Sequence, residues 1–257
     1  MADTQQETPL LSMVNVRKSF GGVEALRGVD FHVGNNEIVG LVGDNGAGKS
    51  TLIKLITGVH LPTSGDIFYK GDKITIHSVK RSREIGIETV YQERALADQQ
   101  TLWRNMFAGR EITTKFGFLD VKKQKEETDK LLREHMGFTS KVLTTDSPVA
   151  GLSGGEKQGI AIGRALHFQA DLIILDEPTM GLSLSETQKV LDFVLDIKAR
   201  GKSAIVINHS IYQVYPVSDR FVIIDRGQVA GEFLKKDISQ DELVEKMIHL
   251  AQAGTLD

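Results

Sequence analysis

"LVGDNGAGKST", residues Leu41 to Thr51, decides how the rest of the chain is read. It satisfies G-x-x-x-x-G-K-[ST] through Gly43, Gly48, Lys49 and Ser50, follows the apolar "EIVG" and runs into the helix-like "STLIKLIT". Strand, glycine loop and helix in that order are the setting in which such a loop holds phosphate. The glycines let the backbone from Gly43 through Asp44, Asn45, Gly46, Ala47 and Gly48 curl its amides inward, and the helix start adds partial positive charge. Lys49 would reach the outer phosphates of a nucleotide, and the hydroxyl of Ser50, with Thr51 beside it, would serve magnesium.

Outward from this loop the chain alternates. Before about residue 90 it reads as strands, with "VDFHV" and "EIVGLVG" joined by the turn "GNN" and one short helix after the glycine loop. From about Gln92 to His167 the pattern turns helical, and "DVKKQKEETDKLLREHMGF" spaces Val121, Leu131, Leu132 and Met136 as a helix that ends at Gly137. Strands return in "DLIILDE", "SAIVIN" and "RFVIID", separated by helical stretches such as "SLSETQKVLDFVLDIKARG". This order predicts an α/β fold with a parallel sheet covered by helices. The tail "SQDELVEKMIHL", with an N-cap serine and acidic first turn, predicts a closing amphipathic helix.

Composition narrows the partners. The 257 residues are 40% hydrophobic with a formal net charge of -3, enough for one sizeable core and without the basic footprint of a nucleic-acid binder. The basic run Val121 to Lys125 is answered by Glu126, Glu127 and Asp129, as on a solvated helix face. Cysteine is absent, so disulfides and cysteine metal sites are excluded. The start "MADTQQETPL" lacks the basic and apolar regions of a signal peptide, and runs such as "LIIL" are too short to span a bilayer. A membrane role is therefore expected to pass through a partner.

Two further clusters fit a nucleotide site. "LIILDEP" ends a buried strand with Asp176 and Glu177, whose side chains point in different directions. Asp176 would hold magnesium through its water shell, and Glu177 would polarise an attacking water. His209, just past the apolar "IVIN", could reach a terminal phosphate, although alone it reads as a loop histidine. "LSGGEKQ", Leu152 to Gln158, then looks like a second phosphate grip in a chain that already has one.

"GDNGAGKST", "VYQ" with Gln92, "LSGGE", "LIILDE" and "NH" with His209 together resemble, in order and spacing, the ATP-binding subunits of ABC transporters over almost the whole chain. The resemblance implies an α/β fold: a P-loop NTPase (RecA-like) core with an N-terminal antiparallel β arm and an inserted helical subdomain. Residues 1–92 and 168–257 would form the core and 93–167 the insert of a single domain. It implies ATP and Mg2+ as ligands, with Ser50, Gln92 and Asp176 at the metal and Gln92 relaying its state. Phe20 would stack on adenine with Val23 beside it, where a core phenylalanine is the plain alternative. Ser153, Gly154 and Gly155 would meet the terminal phosphate held by a second cassette. The second grip is then half of a shared site, and a second copy of this chain, or a related subunit, supplies the rest.

"GDNGAGKST", "GIETVYQ" and "NMFAGREI" resemble most the ATPases of monosaccharide importers, here in a single-cassette form. That implies a peripheral place on the cytoplasmic face of the inner membrane, a permease docked near Leu102, Trp103, Arg104 and Asn105, and an extracytoplasmic sugar-binding protein as an indirect partner. Trp103 would be an exposed interface anchor or a buried core residue. A soluble ATPase of translation or DNA repair is the alternative, but it usually brings paired cassettes or a coiled coil. Two departures stand out: Ser183 replaces the family's usual loop aspartate, and Glu156 replaces the commoner glutamine.

Overall fold

The computed structural model describes residues 8–91, 96–134 and 143–256. Two sheets form its frame. Strands β1 (Leu11–Phe20) and β2 (Val23–Val33) make an antiparallel hairpin, followed by β3 (Ile38–Val42) and helix α1 (Lys49–Ile56). Then come β4 (Ser64–Tyr69), β5 (Asp72–Ile74), α2 (Val79–Glu84) and β6 (Ile87–Val90). The middle of the chain carries α3 (Leu102–Phe107), α4 (Val121–Glu134) and α5 (Gly154–His167). Alternation resumes with β7 (Leu172–Asp176), α6 (Leu184–Ala199), β8 (Ser203–Ile207), α7 (Ile211–Val214), β9 (Arg220–Asp225), β10 (Gln228–Leu234) and α8 (Gln240–Ala253).

The larger sheet has the order β10-β9-β3-β8-β7-β6 and is parallel except for β10. The smaller is antiparallel, β2-β1-β4-β5. Strands β3 and β8 are buried at every residue, as expected where both faces of a parallel sheet are covered. The two-residue period of β7 divides its side chains between two cores. Leu172 and Ile174 pack with α1 and the antiparallel sheet, whereas Ile173 and Leu175 pack under α5, α6, α7 and α8. Each of these buried aliphatic side chains contributes about 1.5–3 kcal/mol by leaving water. A third core, with Leu102, Met106, Phe107, Leu131, Leu132, Val149 and Ile160, holds the helical middle together.

Three helices begin with the same device. Ser153, Ser183 and Ser239 are the N-caps of α5, α6 and α8, and the glutamate three residues on, Glu156, Glu186 or Glu242, closes a capping box in each. Glu156 therefore has a local task, since its Oε2 accepts from the Ser153 amide at 2.8 Å. Ser183 does too: its hydroxyl starts α6. Helix α1 has no side-chain cap.

One expectation needs correction and one open alternative is decided. A second helix, α2, precedes residue 90, started by the Ser78 hydroxyl accepting from the Arg81 amide. Its sequence "VKRSRE" is too short and polar to show a helical period. Trp103 is not an exposed anchor, being only 7% exposed, and Leu102 and Asn105 are buried with it, which leaves Arg104 exposed among the four. Asn105 is occupied internally: Oδ1 accepts from the Ala97 amide at 2.7 Å and Nδ2 donates to the carbonyls of Ala97, Gln100 and Thr101. The expected helix end at Met136 and Gly137 lies outside the described residues.

Candidate functional site

The carboxyl ends of β3, β7 and β8, neighbours in the sheet, deliver the loop, the acidic pair and His209 to one edge, where open α/β sheets hold their ligands. After β3 the chain must turn at once into α1. Gly43 makes that possible, with φ 150° and no room for a side chain: a Cβ there would lie 2.2 Å from the Ile224 carbonyl oxygen. Gly46 and Gly48 also have positive φ, and the bend closes on a hydrogen bond from the Ala47 amide to the Asp44 carbonyl at 3.2 Å.

Lys49 is held over this loop. Its Nζ donates to the carbonyls of Gly43 at 2.6 Å and Asp44 at 2.8 Å, and burial lowers its pKa against the opposing pull of Glu177, Asp44 and Asp176. Asp176 is pushed the other way: burial first, then the charge of Glu177, raise its pKa, while Lys49 and Lys54 oppose the rise. A cavity of about 200 Å³ lies between these groups, lined by Asn45, Gly46, Gly48, Lys49, Ser50, Thr51, Asp176 and Glu177, with Ala25 and Ile207 as its apolar walls.

Glu177 adopts φ 47°, a left-handed conformation costly for a residue with a side chain, and its amide donates to the Ile207 carbonyl at 2.9 Å. The twist turns its carboxylate toward His209, whose Nδ1 lies 3.7 Å from Glu177 Oε1. The loop bearing His209 is fixed from beneath. Buried Asn208 donates through Nδ2 to Thr179 Oγ1 at 2.8 Å and Gln213 Oε1 at 2.9 Å, and Thr179 donates to the same Gln213 oxygen at 2.6 Å. Thr179, Asn208 and Gln213 were not singled out from the sequence. The only signal was their nearness to "DEP" and "NH", because isolated Thr, Asn and Gln carry no spacing pattern.

Phe20 and Val23 face each other across the tip of the β1–β2 hairpin and are 43% and 68% exposed, so Phe20 is no core residue. Lys18 Nζ stands 4.9 Å from the ring centroid, and His60 meets the ring edge-on at 5.1 Å. Ser153, Gly154 and Gly155 are not among the residues lining the cavity; they form the start of α5. Gln92 lies outside the described residues.

The chemistry of the cavity fits a nucleotide and a divalent ion. Uncapped helix amides and a buried ammonium suit phosphates, and a hydroxyl and a carboxylate lining one cavity suit magnesium, which keeps most of its other ligands as water and phosphate. Among the described residues no group of three or more His, Cys, Asp and Glu could hold a metal by itself.

Comparison with known proteins agrees with this geometry. Residues 26–180 match the family model described as ABC transporter. The chain is 41% identical over 242 residues to the xylose/arabinose import ATP-binding protein XylG of Sulfolobus acidocaldarius, covering 94% of this chain and 95% of that one. It is 36% identical over 242 residues to the ribose import ATP-binding protein RbsA of Yersinia pestis, covering 94% of this chain but 47% of that longer protein. A nucleotide-free ATP-binding cassette from an ABC transporter superposes with a TM-score of 0.78 at 26% identity, over 93% of this chain and 95% of the other. The chain belongs to the ABC transporter family and carries its ATP-binding domain.

Proposed function

We propose that this chain is the ATP-hydrolysing subunit of a monosaccharide importer, working as a pair of copies on the cytoplasmic face of a membrane beneath a permease. The observation that carries the reading is the division of the phosphate-binding parts. The loop, Lys49, Asp176 and Glu177 surround one cavity, while Ser153 to Gly155 start α5 outside its lining, which supports a grip on the nucleotide shared with a second chain. A head-to-tail pair places each copy's Ser153 and Gly155 on the other's terminal phosphate, and an isologous pair closes the arrangement. The sugar-import names of the relatives support the cargo class. No helix among the described residues is long and apolar enough to cross a membrane, which suits contact through a permease.

In the mechanism, Lys49 and the amides of Gly46 to Thr51 bind the outer phosphates, and Phe20 and Val23 offer the adenine an apolar face. Ser50 and Asp176, with Gln92, would hold magnesium, which would neutralise phosphate charge when bound. Glu177 orients the attacking water and takes its proton at the carboxylate, and His209 steadies the terminal phosphate from beside it. Binding favours the closed pair, hydrolysis releases it, and that cycle drives the permease.

Glu177→Gln tests the assignment: ATP binding persists, a dimer accumulates with ATP, and phosphate release falls by at least about 100-fold. A variant that keeps the full rate removes Glu177 from the reaction. For the cargo, the complex recovered with its polytopic membrane partner should take up a monosaccharide in vesicles. Recovery with ribosomes or DNA would overturn the transport reading.

A further inference from the structure

Glu186 does two jobs at once. As the third residue of α6 it closes that helix's capping box, its Oε2 accepting from the Ser183 amide at 3.1 Å and the Ser183 hydroxyl at 2.8 Å. Its other oxygen leaves the helix: Oε1 accepts from the amide of Gly155, in the first turn of α5, at 3.1 Å. The Ser183 hydroxyl, the Gly155 amide, the Ser183 amide and the Ser153 hydroxyl, the first of these most, draw its pKa down to about 2, so it is an anion throughout the physiological range. The approach is close. A Cβ on Gly155 would stand 3.0 Å from the Glu186 Cβ, so the absence of a side chain lets the two helix starts meet.

Glu186 thus rests on the amide of Gly155, one of the groups assigned above to the partner's terminal phosphate. One amide hydrogen serves one anion well, and a carboxylate beside a phosphate repels it. We infer that in the single chain Glu186 fills the anion position at Gly155, and that closure of the pair exchanges this carboxylate for the partner's terminal phosphate. The inference rests on the proposed sharing of the site between two copies. Its consequences are specific. The Glu186 contact holds α5 against α6 while the copies are apart, and it raises the ATP concentration needed for closure. It also links the loop after Glu177 to the Leu152–Gln158 segment through one side chain, which sequence spacing does not suggest.

The test compares Glu177→Gln with Glu177→Gln/Glu186→Gln, following dimerisation by sedimentation across an ATP titration. Glutamine keeps an acceptor for the Ser183 amide but loses the charge. The ATP midpoint for dimerisation should fall by about threefold or more, while ATP affinity of the monomer is unchanged because Glu186 does not line the cavity. A purely structural role predicts the opposite sign: a lower Tm with an equal or higher midpoint, and that result overturns the inference. Ser183→Ala serves as the control for lost capping, and it should lower Tm without lowering the midpoint; a midpoint that drops equally in this variant also overturns the inference. If Glu177→Gln itself stays monomeric at saturating ATP, the shared-site reading fails and the exchange at Gly155 falls with it.

Discussion

At the end of β7 the carboxylate of Asp176 is withdrawn from water beside a second carboxylate, Glu177, and both effects raise its pKa. A carboxyl group whose folded pKa lies above its unfolded value favours folding only while protonated, so ionising Asp176 lowers stability as pH rises through the folded value. Asp176→Asn should raise the Tm of the nucleotide-free protein by a few degrees and abolish magnesium-dependent hydrolysis, checked by thermal unfolding and phosphate release. An unchanged or lower Tm would mean that Lys49 and Lys54 offset the burial fully. Glu186 behaves oppositely. Its pKa is depressed to about 2, so the stability it contributes is present above the ordinary glutamate value and is lost as pH falls toward 2.

At the scale of elements, helix starts are local and separable from chemistry. Ser239→Ala removes the hydroxyl that accepts from the Glu242 amide at the start of α8, far in sequence from the nucleotide loop. It should cost about 1 kcal/mol, seen as a Tm lower by about 2–4 °C in a chain of this size, with the ATPase rate unchanged. Much of this level was legible beforehand. The strand-loop-helix around Lys49, the buried strand ending at Asp176 and the closing helix after Ser239 each carry their own period or cap. Helix α2 was hidden because six residues with Val79 as their one apolar side chain have no apolar stripe, and its side-chain cap comes from Ser78, outside the helix. Trp103 was undecided in the sequence because α3 has only six residues, and whether its ring is covered depends on tertiary neighbours rather than on local spacing. The Asn208, Thr179 and Gln213 network was illegible for a similar reason: its members join across 34 positions of chain, through contacts that only the folded sheet creates.

For the whole molecule, the separation of Ser153 to Gly155 from the cavity around Lys49 is the decisive arrangement. Ser153→Arg places a cation and bulk at the start of α5 without touching the residues that line the cavity. ATP binding by the monomer, measured calorimetrically, should be unaffected, while ATP-driven dimerisation and hydrolysis are lost. Hydrolysis at the normal rate by the monomeric variant would show that one copy is sufficient. Among the helices, α5, α6 and α8 carry their own serine and glutamate at the start, and α1 does not. On the proposed function, the phosphates of a bound nucleotide would complete its first-turn amides, so the nucleotide would also be the missing end of a helix. Amide hydrogen exchange at Lys49 to Thr51 should then slow on ATP binding far more than at the starts of α6 and α8, making the first turn of α1 a built-in reporter of occupancy.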